Sequence, residues 1–223
     1  MKSKLLLTGL VKIVSGIVLM GLLLFLPAGT WRYPGAWLLL AFLFVPMPVV
    51  GVVLIIKAPA LLEKRLNTKE REPEQKLVIL LSSLIFITGF LLAGLDFRFG
   101  WSPLPLIVIM IGSALFLLAY GLYLEVMREN AYLSRTVEIQ EGQKIVDTGL
   151  YGLVRHPMYL AVDLLFISMP LILGSAAAIL PFLFFPAVLI KRIKNEEKLL
   201  EEGLPGYREY KNKVKYRLLP YIW

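Results

Sequence analysis

The sequence predicts an all-α integral membrane protein, a multi-pass helical bundle of four spanning helices followed by a C-terminal helix-turn-helix hairpin. Three observations predict it. The 223 residues are 58% hydrophobic with a mean hydropathy of +0.73, above the roughly 45–50% apolar share of soluble domains. Several apolar runs reach the ~20 residues that a helix needs to cross a bilayer. The runs are continuous, whereas a membrane β-barrel would show short alternating segments. Backbone groups in lipid must be satisfied within the chain, so continuous runs mean helices.

The first run, 5–26, follows the basic start "MKSK". It exceeds the ~7–15 residue apolar core of a signal peptide and is read as a retained helix. Lys12 within it either snorkels or faces the bundle. The second run, 36–56, contains Pro46 and Pro48, which predict a kink. A charged connector, "KAPALLEKRLNTKEREPEQK", covers 57–76. The third run is 77–95, the short loop "DFRFGWSP" follows, and the fourth run is 104–124.

The stretch 125–156 is polar and carries the turn-forming sequences "EGQ" and "DTG". Residues 157–190 are then apolar but contain Pro170 and the pair Gly174-Ser175. One straight helix of that length overshoots the bilayer, so two shorter helices turning at Gly174-Ser175 are predicted. The tail from 191 is basic. No internal repeat is visible, which argues against a transporter built from two matching halves.

Lys and Arg total 24 against 16 Asp and Glu, a net charge of +8. Such an excess suits nucleic acid, but its distribution does not. With the N-terminus inside, one face receives the N-terminal lysines, 57–76, 125–156 and the tail, while the opposite loops keep only Arg32 and Arg98. The positive-inside rule then places both termini, and any site that meets a water-soluble partner, in the cytoplasm. The expected partners are membrane lipids, with no nucleic acid. The chain has no cysteine, which excludes disulfides, thiolate metal sites and a cysteine nucleophile. A single histidine makes a metal centre unexpected.

That histidine, His156, sits in "GLYGLVRHPMYLAV" before Pro157, at the predicted mouth of a helix. Tyr159 and Asp163 share one face of that helix. An interfacial Arg, a belt tyrosine and a helix-starting proline explain most of the group. Asp163 resists that explanation, because a carboxylate inside a membrane helix costs about 2.5–3.5 kcal/mol and usually faces a cavity or a partner. In "IKRIKNEEKLLEE", Arg192 and Glu196 lie at i,i+4. They are either a surface pair or the lining of a polar pocket. In "GYREYKNKVKYRLLPYIW", tyrosines recur among basic residues, as in an interfacial segment or in a lid over a heteroaromatic ligand.

The order "GLYGLVRHPMYLA", "RIKNEEKLL", "GYREYKNKVKYRLLPYIW" resembles the isoprenylcysteine carboxyl methyltransferase family and its phospholipid methyltransferase relatives, over about 140–223. The resemblance implies S-adenosylmethionine as methyl donor and a cofactor pocket at the cytosolic membrane face. It implies cofactor contacts at Gln143, Lys144, Ile145, Val146 and Tyr151, at His156, Pro157, Met158 and Tyr159, and at Glu196. It implies a substrate-contacting, catalytic Arg192. Residues 1–125 are then the transmembrane bundle and 126–223 the methyltransferase catalytic region. Ala161 stands where many relatives have Gly, and Asp163 has no implied role. The implied acceptor is an amphipathic or prenylated molecule. A carboxylate acceptor is already ionised at pH 7 and needs no base. A lipid amine, as in phospholipid N-methylation, must lose a proton first, and Glu197 or Asp163 becomes the expected base. Membrane sterol reductases, which use NADPH, share the "V-x-Y-R…P-Y" type of ending. They carry Asn before the signature Tyr, where this chain has Met158.

Overall fold

The computed structural model describes residues 2–67, 70 and 72–223; Thr68, Lys69 and Arg71 of the charged connector lie outside the described residues. The described residues form helices and no strand. The order is α1 (Lys2–Ala28), α2 (Pro34–Phe44), α3 (Pro46–Lys57), α4 (Pro59–Leu66), α5 (Pro73–Phe99), α6 (Leu106–Glu129), α7 (Pro157–Ile172), α8 (Ala176–Phe182), α9 (Phe185–Gly203) and α10 (Tyr207–Lys213). Five stretches are long and apolar enough to span a bilayer: α1, α2–α3, α5, α6 and α8–α9. Outward-facing Leu, Val, Ile and Phe cover them. In water such a surface would aggregate, whereas in lipid it costs nothing to expose. The chain is an integral membrane protein.

Helix boundaries follow local chemistry. Pro46 starts α3 and breaks the second run at Val45, which keeps a helical backbone, so the break is a kink rather than a loop. Pro34, Pro59, Pro73 and Pro157 likewise open helices, where the missing N–H would be unpaired anyway. Gly174, at φ +72°, ends α7 in a backbone that L side chains rarely adopt, and Ser175 caps α8 by accepting from the Ala178 N–H. Within 57–76 the sequence predicted only a connector, but Pro59–Leu66 forms α4 and buries Leu61 and Leu62.

α7 packs mainly on α6, and α5 is central, touching α1, α8 and α9. Gly112 makes the α6–α7 approach possible: a Cβ there would lie 2.5 Å from the Leu171 side chain. The main core runs through Leu24, Leu39, Phe90, Phe116, Ile172 and Phe182. At one end of the bundle a polar knot ties three segments together. Asp96 accepts from the Ser102 N–H (2.6 Å), the Ser102 hydroxyl (2.7 Å) and the Ser175 hydroxyl. Leu104 N–H donates to Gly174 O (2.9 Å), and the Tyr33 hydroxyl donates to Leu173 O (2.7 Å). The opposite end carries α4, the irregular 130–156 stretch, the end of α9 and the tail.

Candidate active site

The mouth of α7 is fixed by the tail. Arg155 N–H donates to Tyr216 O and His156 N–H to Arg217 O, both at 2.9 Å. Arg155 Nη1 donates to Val214 O (2.7 Å) and Lys215 O (2.8 Å). One carboxylate holds the arrangement together. Glu197 accepts from Arg155 Nε (2.8 Å), His156 Nε2 (3.2 Å) and Arg217 Nε (2.9 Å). Arg155, His156 and Glu197 are all buried. A buried ion pair of this kind is stable only because each charge finds several partners. The sequence offered Glu197 as a base for an amine acceptor. Both of its oxygens are instead taken by guanidiniums and the imidazole, so it is a clamp.

One residue earlier on α9, Glu196 has the opposite surroundings. Adjacent helical residues point about 100° apart. Glu196 accepts from the Tyr159 hydroxyl, and that hydroxyl accepts from Arg192 Nε at 2.9 Å. Arg192 Nη2 continues to Arg135 O at 2.7 Å. Arg192 and Glu196 are therefore not a surface pair. A phenol separates them, and both face the interior.

They face a cavity of about 1000 Å³. Of the residues assigned by sequence, Gln143, Lys144, Ile145, Val146, Tyr151, His156, Met158, Tyr159, Arg192 and Glu196 all line it. Pro157 does not; it is fully buried at the first position of α7 and sets the helix start. Ala161 is fully buried, and Asp163 is off the cavity wall, with a buried Oδ1 that has no hydrogen-bond partner among the described residues.

The stretch 143–146 is held by its neighbours. Gln143 Oε1 accepts from Gln140 N–H (2.9 Å), and Ile145 packs against Leu200, Leu204, Tyr207 and Tyr210. Tyr151 is anchored at both ends: its hydroxyl accepts from Asn130 Nδ2 (2.9 Å) and its carbonyl from the Tyr210 hydroxyl (2.8 Å). Tyr207 and Tyr210 also line the cavity. The Tyr207 hydroxyl is buried and has no partner among the described residues. Burial pushes the Tyr151, Tyr207 and Tyr210 hydroxyls well above the usual tyrosine range, so all three stay neutral donors at physiological pH.

The other end of the same cavity is apolar, lined by Phe44, Met47, Val50, Phe86, Phe166 and Phe185 from α2, α3, α5, α7 and α9. Sequence reasoning missed the contribution of the first half of the chain. It also missed Lys12, Arg65 and Arg135, which line the same cavity. Lys12 faces the bundle rather than snorkelling. Arg65 comes from α4, whose existence the charged composition concealed. Among the described residues no cluster of three or more His, Cys, Asp or Glu could hold a metal ion.

Residues 108–202 match the sequence model of the isoprenylcysteine carboxyl methyltransferase (ICMT) family. A Delta(14)-sterol reductase of Mus musculus is 30% identical over 92 residues, which cover 40% of this chain and 22% of the reductase. The chain thus matches less than a quarter of that relative. The solved structure of the eukaryotic intramembrane Ras methyltransferase ICMT, without a monobody, aligns at a TM-score of 0.48 and 17% identity, covering 99% of this chain and 98% of that one.

Proposed function

We propose that this chain is a membrane methyltransferase of the isoprenylcysteine carboxyl methyltransferase type, using S-adenosylmethionine and methylating an amphipathic acceptor. The match of 108–202 to that family supports the class. The observation that carries the reading is the two-ended cavity. Its polar end is walled by 143–146, Tyr151, His156, Tyr159, Glu196 and Tyr207, and its apolar end by phenylalanines and aliphatic side chains. A water-soluble donor and a lipid-like acceptor need one chamber with both characters.

The polar end fits the cofactor. Glu196 is an acceptor for an ammonium or for ribose hydroxyls. The partnerless Tyr207 hydroxyl is a donor waiting for a ligand oxygen. Tyr151, Tyr207 and Tyr210 offer ring faces to an adenine. When bound, the cofactor supplies an electrophilic methyl group. The protein's own work is alignment and exclusion of water, because an in-line displacement depends on the relative placement of its atoms. Tyr159 fixes Arg192 through Nε, and the remaining guanidinium N–H groups can orient an anionic acceptor. Glu197 is committed to its clamp and Asp163 is off the wall, so neither serves as a base for an amine. That favours a carboxylate or other anionic oxygen over phospholipid N-methylation.

In this reading residues 126–223 supply the cofactor end and 1–125 most of the lipid end. The basic face is cytoplasmic, with both termini on it. Because the chain has no cysteine, single cysteines replacing Trp101 and Arg208 test this: Trp101→Cys should label only from outside and Arg208→Cys only from inside. The decisive experiment for function is calorimetric titration of detergent-purified protein with S-adenosylhomocysteine and, separately, NADPH. Binding and thermal stabilisation by S-adenosylhomocysteine are expected. Response to NADPH alone would replace this reading with the sterol reductase one.

A further inference from the structure

The apolar end of the cavity is closed by rings. Toward the Asp96 knot, its lining ends at Ile13 on α1, Phe44 on α2, Phe86 on α5, Tyr120 on α6, Phe166 on α7 and Phe185 on α9. These residues rest directly on the main core. Ring centre to ring centre, Phe86 lies 5.6 Å from Phe182 and 5.9 Å from Phe90, and Tyr120 lies 6.2 Å from Phe116. Phe90, Phe116 and Phe182 are buried, so packed core begins where the cavity ends.

The central rings lock one another. Phe166 meets Phe86 edge-on at 4.5 Å and Phe185 edge-on at 4.4 Å, and Phe86 and Phe185 lie 6.0 Å apart. Aromatic rings prefer such edge-to-face contacts, and rings wedged together from three helices have little room to swing aside. Phe44 is backed by α1, where a Cβ at Gly16 would sit 3.0 Å from its ring. The floor is therefore stiff, unlike one built of adaptable methionines.

The depth of this floor below the polar end follows from one helix pair. α7 and α9 run antiparallel, joined at Tyr159–Arg192 (2.9 Å) and again at Phe166–Phe185 (4.4 Å between ring centres). On each helix seven residues separate the two contacts. Seven residues return a helix nearly to the same face, about 10.5 Å further along at ~1.5 Å per residue. An extended alkyl chain with bonds of ~1.5 Å advances about 1.3 Å per carbon, so about eight carbons reach from Arg192 to the rings.

We propose that Phe86, Phe166 and Phe185 are a length gauge for the acceptor, admitting a straight hydrocarbon tail of about eight to ten carbons and rejecting longer extended ones. This deepens the methyltransferase reading and rests on it. Each methylene that lies above the rings is buried against apolar walls and strengthens binding. The first one past them meets packed core, where it must fold back or force a ring out of place.

The test measures binding of hexanoate, octanoate, decanoate, dodecanoate, tetradecanoate and hexadecanoate to full-length protein in a neutral maltoside detergent with S-adenosylhomocysteine present. Free ligand is measured directly, so partition into detergent does not enter. In wild-type protein, affinity should rise roughly threefold per methylene up to octanoate or decanoate and then level off or fall. Phe166→Ala opens the floor and should move that break longer by about two carbons or more, so that dodecanoate gains at least about tenfold over wild type. Val162 lines the cavity one turn above Phe166 on α7. Val162→Phe should therefore move the break shorter. Opposite shifts from two substitutions on one helix are not produced by a general loss of stability. An affinity that rises to hexadecanoate without a break overturns the proposal, because the tail then leaves between the helices. A break that stays in place in both variants, or moves the same way in both, also overturns it, as does the absence of binding at every length. If Phe166→Ala does not fold, Val162→Phe decides alone, and an unmoved break overturns the gauge. Titration with S-adenosylhomocysteine reads the methyltransferase assignment separately. A break that moves as expected in protein that does not bind S-adenosylhomocysteine keeps the gauge and removes that assignment.

Discussion

The two ends of the bundle treat polar atoms in opposite ways. At the knot, Asp96 and Ser175 are buried, Ser102 is half-buried, and their side-chain oxygens are paired with one another or with nearby backbone. At the cavity end, polar groups are many and some have no partner among the described residues, among them the Tyr207 hydroxyl and Asn195 Nδ2. A saturated network stabilises, whereas an unsatisfied one is tolerated only where a ligand completes it. One end therefore holds the fold and the other holds room for chemistry. Each end can be broken separately, and the outcomes should differ in kind.

The largest effect is expected at Glu197, the one place where the cavity end is built like the knot. Glu197→Ala leaves the buried Arg155 and its neighbour Arg217 without a counter-charge, which costs about 3–5 kcal/mol. It also frees His156. Thermal melting in detergent should show a large loss of stability, and surviving protein should bind S-adenosylhomocysteine poorly. Asp96→Asn comes next. It places an amide among three donors and should cost about 2–3 kcal/mol. Cofactor affinity per folded molecule should stay within about twofold of wild type. A substantial drop would mean the two ends are coupled, and the contrast between them would fail.

Both of those positions show where the sequence could and could not be read. Apolar runs located the long helices, the prolines located the kink at Val45, and Gly174-Ser175 located the turn, because these depend on near neighbours in the chain. Asp96 looked like loop punctuation, since its partner Ser175 is distant in sequence. α4 was hidden because the eight residues "PALLEKRL", four apolar and three charged after the proline, are too few for periodicity to speak. Glu196 and Glu197 are chemically identical neighbours. Spacing alone left Glu196 as either half of a surface pair with Arg192 or part of a polar pocket, only the resemblance gave it a cofactor contact, and only the folded tail, which brings Arg217 back to α9, explains Glu197. Lys12, Arg65 and Arg135 on the cavity wall were illegible for the same reason: they come from three separate segments.

A middle tier separates cofactor from acceptor. Glu196→Gln removes a charge-assisted contact worth about 1.5–3 kcal/mol, so affinity for S-adenosylhomocysteine should fall roughly 10- to 100-fold. Arg192→Lys keeps the charge but loses the planar fork, so turnover of an accepted amphiphile should drop while cofactor affinity stays near wild type. Tyr159→Phe should impair both, because its hydroxyl joins the two residues. Equal loss of cofactor binding in the Glu196 and Arg192 variants would make them a structural pair.

The smallest effect has the most particular signature. The Tyr207 hydroxyl is buried without a partner among the described residues, so the folded protein carries a desolvated donor that only a ligand relieves. Tyr207→Phe deletes that atom and keeps the ring. The ligand-free protein should be as stable as wild type or more so, by up to about 1 kcal/mol, while affinity for S-adenosylhomocysteine falls by roughly 3- to 10-fold. The change also reads out in alkali. Burial, reinforced by the charges of Glu197 and Glu196, raises the Tyr207 hydroxyl above its ordinary value. The unfolded chain therefore releases that proton first, near pH ~10, and the folded chain holds it. Above that pH the unfolded state binds fewer protons, so stability is whole below ~10 and lost as pH rises beyond it. Tyr151 and Tyr210 act in the same direction. Removing Tyr207 should make the decline shallower by about one proton per molecule. A steeper decline, or a loss of stability at neutral pH, would mean that the hydroxyl has a partner in the folded protein and was never waiting for a ligand.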